Sequence, residues 1–316
     1  MADRCDAGCF GHPRRHGPGH AVHRRPHVGK VQTSLASIHL VEEETILKTS
    51  VRGVCRAFVV TSLLALVLAT IALGGCRKEA VKIGATSVPH AEILEFAKPL
   101  LEKEGIEIDI VEFNDYVQPN IQLADKQLAA NFFQHIPYLE DFSAERNLDL
   151  TWIAKIHIEP MGIYAGKVKK LEDLKDGDQV GIPNDVTNAG RALALLEKAG
   201  LLKFKDGVGV KASVLDVEEN PRNLRIVELN AEILPHSLAD LAVAVINGNF
   251  AIQANLSPLN DALFIEDSDS PFANVLAVRT ADKDDKVLKR IAEVLTSEEV
   301  RGFILEKYKG GVVPAF

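Results

Sequence analysis

Cysteine is missing from most of this 316-residue chain: the four present are Cys5, Cys9, Cys55 and Cys76, and none follows residue 76. The long C-terminal part therefore has no disulfide, no thiolate metal site and no cysteine nucleophile. Histidine is thin there too. Of ten, six lie within residues 1–50, and His90, His135, His157 and His236 are not spaced as paired metal ligands on a helix. There is no Gly-x-Ser-x-Gly elbow and no glycine-rich phosphate loop. These absences lead us to expect no enzyme, no cofactor and no metal. Positive charge is also short. Nine of the 36 Lys/Arg and five of the 44 Asp/Glu fall in residues 1–75, which leaves 27 against 39 and a net charge of −12 for residues 76–316. Nucleic acid is excluded as a partner, because a surface that follows phosphates needs the opposite balance.

An address label accounts for the uneven charge. Arg52 and Arg56 form a positive flank, Ala57 to Leu73 is uncharged and mostly apolar, and Leu73-Gly74-Gly75-Cys76 closes the run with small residues before a cysteine. A run of seventeen mostly apolar residues is short for a membrane span, and a span leaves the small-small-Cys ending unexplained. Residues 51–75 are instead similar to a bacterial lipoprotein signal peptide, with Cys76 as the lipid-modified (palmitate-bearing) first residue of the mature protein. Residues 1–50 fit none of this. Cys5, Cys9, His12 and His16 are spaced like ligands, but no second pair is cleanly spaced, and the stretch precedes an export signal. We expect it to be a spurious or disordered extension, with the true start near Val51.

The rest, 47% hydrophobic over the whole chain, is enough for two lobes. Val81–Ala85 reads as a strand. Ile93, Leu94, Ala97, Leu100 and Leu101 recur at helical spacing up to Gly105, and Ile106, Ile108 and Ile110 alternate as a second strand. This βαβ unit implies a parallel sheet. A helix near 120–127 leads to a third strand ending near Phe133, with Pro137 stopping further pairing. The layout then repeats, with Gln179–Ile182 a strand and a helix closed by Gly200 that Asp185 or Thr187 caps. Leu241–Ile246 is an apolar strand covered on both faces. Met161–Gly166 and Asn274–Arg279 are a pair of crossing strands, and Val287, Leu288, Ile291, Val294 and Leu295 form a helix that packs back on the first lobe. The expected architecture is α/β, two lobes joined by two crossing strands, with residues 76–166 and 274–316 in lobe 1 and 167–273 in lobe 2.

The candidate site centres on Ala130-Asn131-Phe132-Phe133-Gln134-His135-Ile136-Pro137-Tyr138. Three rings, an amide and an imidazole suit a small apolar or thioether ligand, and Phe133 and His135 share a face of an extended chain. Tyr116 follows the second strand, where ligands of open α/β sheets bind. Asn188 and Arg191 lie three apart in the first turn of a helix whose N–H groups, with a guanidinium, suit a carboxylate. Asn247 offers an amide at the end of another strand. Core aromatics, a surface arginine and a plain turn are the alternatives at these positions.

Ala130–Leu139, Pro183-Asn184-Asp185 with Thr187-Asn188-Ala189-Gly190-Arg191, and Ala244-Val245-Ile246-Asn247-Gly248-Asn249 resemble the methionine-binding lipoproteins of bacterial ABC importers, the NlpA lipoprotein family. The likeness runs from about Cys76 to the C-terminus. It implies a periplasmic-binding-protein-like fold (type II) hinged on the two crossing strands. The expected cargo is L- or D-methionine, delivered to an ABC permease driven by its ATPase, and the expected location is outside the cell membrane on a lipid anchor, facing periplasm or exterior. Tyr116, Phe133 and Tyr138 are implied to line the thioether pocket. His135, Asn188, Arg191 and Asn247 are implied to hold the amino and carboxylate groups, with Arg191 on the carboxylate. No acidic residue in these motifs answers the ammonium. Another amino acid, a short peptide, or a surface-interaction lipoprotein on the same fold are the alternatives.

Overall fold

A computed structural model describes residues 79–316, apart from 206, 210, 268 and 269, together with Ser62. The lipoprotein signal, Cys76 and nearly all of residues 1–78 lie outside the described residues. Lys78–Phe316 forms one compact unit.

Two sheets organise this unit. β1 (Val81–Thr86), β2 (Ile108–Phe113), β3 (Ala130–His135) and β4 (Leu150–Ile158) belong to the first. β5 (Gly162–Ala165), β6 (Gln179–Pro183), β9 (Arg225–Leu229), β10 (Val243–Ile246) and β11 (Ala262–Ile265) make the second, and β7 (Lys203–Phe204) pairs with β8 (Val217–Glu219) as a short ribbon. β12 (Ala273–Arg279) and β13 (Val313–Pro314) return to the first. The strand orders are β13-β4-β12-β3-β1-β2 and β11-β5-β10-β6-β9.

The two orders are copies of one plan. In each sheet a first strand (β1 or β6) pairs in parallel with the two strands beside it. An antiparallel strand is then inserted next to the third, β12 against β3 and β5 against β10. Each inserted strand is the one that the chain forms on arriving from the other sheet, through residues 159–161 in one direction and 266–272 in the other. Gly162–Ala165, placed by the sequence pattern in the first lobe, thus belongs to the second sheet. Its apolar run suits either core, so only its pairing decides.

The helices follow from their apolar spacing. α1 (Glu92–Glu102) buries Ile93, Leu94, Ala97 and Leu101 against the first sheet. α2 (Gln118–Ala124) leads to β3. α3 (Ile136–Arg146) begins directly after β3, with Pro137 in its first turn and the His135 side chain accepting the Tyr138 N–H as its cap. The proline that stops the strand also starts a helix, a position where its missing N–H costs nothing. α4 (Val186–Lys198) is capped by Asp185 and buries Leu193, Leu195 and Leu196 in the second core. α5 (Leu234–Ser237) and α6 (Gly248–Gln253) are short. α7 (Lys286–Leu295) packs Leu288, Ile291, Val294 and Leu295 on the first core, joined by α8 (Glu298–Tyr308) through Val300 and Ile304.

Gly166, at the end of β5, marks the tightest backbone approach. A Cβ there would stand 2.3 Å from the Leu241 carbonyl oxygen, 2.5 Å from that of Leu238 and 2.9 Å from that of Ala242. Backbone cannot step aside as a side chain can, so Gly166→Ala is expected to cost at least about 2 kcal/mol, or roughly 4–8 °C in melting temperature for a chain of this size. A melting temperature within about a degree of wild type would contradict this packing.

Candidate ligand-binding site

The strand ends and helix starts of the two sheets meet at one cavity. Its empty space is about 320 Å³, and its lining includes Tyr116, Phe133, His135, Tyr138, Asn188, Arg191 and Asn247. All seven residues singled out in the sequence are therefore brought together. Gln134, Glu159, Gly248, Asn249 and Asn274 also line it, and were not singled out.

One side is aromatic. Tyr116, Phe133 and Tyr138 form a triangle with ring centroids 5.8 to 6.1 Å apart. The Tyr138 hydroxyl donates to the Tyr116 carbonyl at 2.9 Å, and the Tyr116 hydroxyl donates to Asn249 Oδ1 at 2.6 Å. The alternation of β3 sorts its own residues. Phe133 and His135 face the cavity, whereas Phe132 is wholly buried in the first core. Gln134 is tied to Asn120, whose Nδ2 donates to its Oε1 at 2.7 Å.

The polar side is oriented from Asp185. Both of its oxygens accept from Asn188 Nδ2 at 3.0 Å, and Oδ1 also takes the Asn188 backbone N–H at 2.9 Å. Asn188 must then present Oδ1 to the cavity, where it accepts from Asn247 Nδ2 at 2.8 Å and meets His135 Nε2 at 3.0 Å. Because His135 Nδ1 accepts the Tyr138 N–H, the proton sits on Nε2 and donates to Asn188. Two buried atoms are left without a partner in the lining: the acceptor Asn247 Oδ1 and the donor Asn249 Nδ2.

Arg191, only 4% exposed, is clamped. Its Nε and Nη2 donate to Glu266, the closest pair at 2.5 Å, and Nη2 also donates to the Glu159 carbonyl at 2.7 Å. The guanidinium lies over the Phe272 ring with its carbon 4.3 Å from the centroid. Glu266 in turn joins the two crossing segments. Its N–H donates to the Met161 carbonyl at 2.9 Å and its carboxylate accepts the Met161 N–H at 3.2 Å.

Under the cavity Glu159, 4% exposed, meets two buried imidazoles. Its Oε1 lies 2.7 Å from His157 Nε2 and 3.2 Å from His90 Nε2. Burial raises the Glu159 carboxyl, while His90 and Arg191 pull it down. Burial pushes the imidazoles the other way, His90 to about 4 and His157 to about 3, and it takes His135 to about 3 with help from Arg191. At neutral pH all three are therefore uncharged, and the contacts to Glu159 are hydrogen bonds from neutral rings rather than ion pairs.

Residues 81–316 match the family model described as NlpA lipoprotein. The D-methionine-binding lipoprotein MetQ of Escherichia coli K12 is 41% identical over 254 residues, covering 78% of this chain and 94% of that protein. The membrane lipoprotein TpN32 of Treponema pallidum is 39% identical over 260 residues, covering 82% and 97%. Among solved structures, a nutrient binding protein from Burkholderia cenocepacia bound to methionine superposes with a TM-score of 0.73 at 42% identity, covering 75% of this chain and all of that one.

The buried imidazoles make stability depend on pH. An unfolded histidine takes up its proton near 6.5, whereas the folded ones hold out to about 4 or about 3. The unfolded state thus binds more protons as pH falls below 6.5, and stability is lost there by up to about 1.4 kcal/mol per pH unit for each ring. Glu159, raised by burial, works in the opposite direction. Urea unfolding at pH 7 and pH 5 should show a loss on acidification that is smaller in His135→Gln by one ring's share; an equal loss in the two proteins would contradict the neutral, buried His135.

Proposed function

The chain belongs to the NlpA lipoprotein family, and on that premise we propose that it is an extracytoplasmic substrate-binding lipoprotein that captures methionine between its two lobes for an ABC importer. The observation that carries the reading is the convergence, in one cavity, of an aromatic triangle, a clamped arginine and two unpartnered amide atoms of opposite character. A thioether is soft and polarisable and suits ring faces, whereas a free α-carboxylate and α-ammonium need a donor set and an acceptor set side by side.

The geometry supports the following roles. Tyr116, Phe133 and Tyr138 hold the thioether side chain. Arg191 has Nε and Nη2 committed to Glu266 and Glu159, which leaves Nη1 as its donor for the ligand carboxylate, with Asn249 Nδ2 as a second donor. Asn247 Oδ1 accepts from the ammonium, and Asn188 and His135 keep Asn247 turned that way. The remaining assignments complete the reading: Cys76 carries the lipid anchor, and a membrane permease with its ATPase receives the cargo. No helix among the described residues is long and apolar enough to cross a membrane.

Melting curves on protein stripped of ligand by unfolding and refolding test this directly. Methionine at about a thousand times its Kd stabilises by roughly 4 kcal/mol, a shift of about 8–16 °C. Arg191→Lys keeps the charge beside Glu266 but loses the planar fork, and should weaken methionine binding by at least about thirtyfold in calorimetry. Tyr138→Ala should weaken it while sparing the carboxylate contacts. No shift with L- or D-methionine from folded, ligand-free protein would overturn the assignment.

A further inference from the structure

The donor side of the cavity is better supplied than the acceptor side. Arg191 and Asn249 Nδ2 serve an anion, but a cation has only the neutral Asn247 Oδ1. A buried ammonium left with a single neutral partner is costly. Glu159 is the sole carboxylate among the lining residues. It stands on the segment that crosses between the sheets, beside the start of α6. Gly248 is what allows this approach, since a Cβ there would come within 2.9 Å of Glu159 Cβ and 3.5 Å of its Oε2.

We propose that Glu159 is the residue that recognises the ligand's α-ammonium, and that His90 and His157 are positioning residues that hold it as an oriented carboxylate. The proposal rests on the amino-acid reading of the cavity. Oε1 takes both imidazole Nε2 donors, at 2.7 and 3.2 Å, and the carboxylate also accepts the Asn249 backbone N–H at the start of α6, while Oε2 lies on the Gly248 side with acceptor capacity to spare for the ligand. Each ring is turned for this purpose. His90 Nδ1 is 2.7 Å from the Thr86 hydroxyl, and its Nε2 also reaches Asn274 Oδ1 at 3.1 Å. His157 has no partner at all on Nδ1, a buried acceptor left unsatisfied while Nε2 donates to Glu159. Such an orphan costs stability, and what it provides is a fixed donor beneath the carboxylate. Glu266 already pairs with Arg191, so Glu159 is the carboxylate in the lining with no fixed cation against it.

This makes Glu159 a specificity determinant. It favours α-amino acids over the same thioether acids lacking the amino group. Calorimetric titrations of wild type and Glu159→Gln with L-methionine, with its des-amino analogue 4-(methylthio)butanoate and with its α-hydroxy analogue separate the possibilities. The wild type should prefer methionine strongly. In Glu159→Gln, which keeps the shape and one acceptor oxygen for the imidazoles but loses the charge and the second acceptor, methionine binding should weaken by at least about thirtyfold, while the analogues keep their affinity within a few fold. If Glu159→Gln still discriminates as the wild type does, the proposal is overturned though methionine binding stands. A wild type that binds none of these ligands fails the methionine reading itself, and the ammonium role with it.

The positioning role has its own readout. The groups facing Glu159 are His90, His157, Arg191, Tyr116 and Tyr308. Wild-type affinity should fall on the acid side as Glu159 takes a proton, and Glu159→Gln should be flat there. His157→Ala removes a donor that favours the ionised form, so the fall should move to higher pH in that variant, a shift that loss of packing alone would not produce. An unmoved pH profile in a folded His157→Ala protein would overturn the positioning role.

Discussion

The hydrogen bond from Asn188 to Asp185 fixes the polarity of the whole cavity. A carboxylate can only accept, so the Asn188 amide has one allowed orientation, and its oxygen must face outward. From there the sense propagates without freedom: His135 and Asn247 must both donate to that oxygen, and Asn247 must expose its own oxygen. Asp185 is also the cap of α4, so the residue that starts the helix is the one that sets the chemistry along its first turn. His135 plays the same double part on the other sheet, capping α3 with one nitrogen and donating across to Asn188 with the other. The residues that cap α3 and α4 thus also orient the polar atoms of the cavity.

The second constraint is electrostatic. A guanidinium only 4% exposed would be expensive if left alone, and Glu266 with the Glu159 carbonyl and the Phe272 ring supply the required partners. Because Glu266 also bonds Met161, the arginine's counter-ion is anchored where the two crossing segments run side by side. The guanidinium is thereby linked to the segments that join the two sheets. In two-lobed binding proteins closure about such segments is the expected motion, and here the charge-bearing residues Arg191, Glu159 and Glu266 cluster at them.

Much of the fold was legible because its signals are local. The βαβ start, α4 with its Asp185 cap, the buried β10 and the amphipathic α7 all follow from apolar periodicity and turn residues. The residues of the aromatic stretch were legible as a group, yet only the pleat of β3 separates core Phe132 from cavity-facing Phe133. The rest needed the third dimension. Glu159 follows His157 at strand spacing and precedes a proline, which in sequence reads as an ordinary polar edge. Glu266 sits in an acidic, serine-rich stretch that reads as solvated loop. Asn274 is the second residue of a strand that is otherwise apolar up to Arg279. Gly162–Ala165 pairs in the second sheet rather than the first, because an apolar strand carries no mark of the sheet it joins. α3 escapes a reading by periodicity because its faces are weakly contrasted and Pro137, next to a strand, reads as a terminator alone.

A crystal structure with L-methionine tests the central claim, that the cavity is oriented in advance for a zwitterion with its anion at Arg191 and its cation at the opposite acceptors. The ligand carboxylate is expected on Arg191 Nη1 and Asn249, the ammonium between Asn247 Oδ1 and Glu159, and the sulfur within the triangle of Tyr116, Phe133 and Tyr138, with the Asp185–Asn188–Asn247 chain unchanged. A ligand bound with the opposite polarity, or an Asn188 amide that has turned over to receive it, would contradict it.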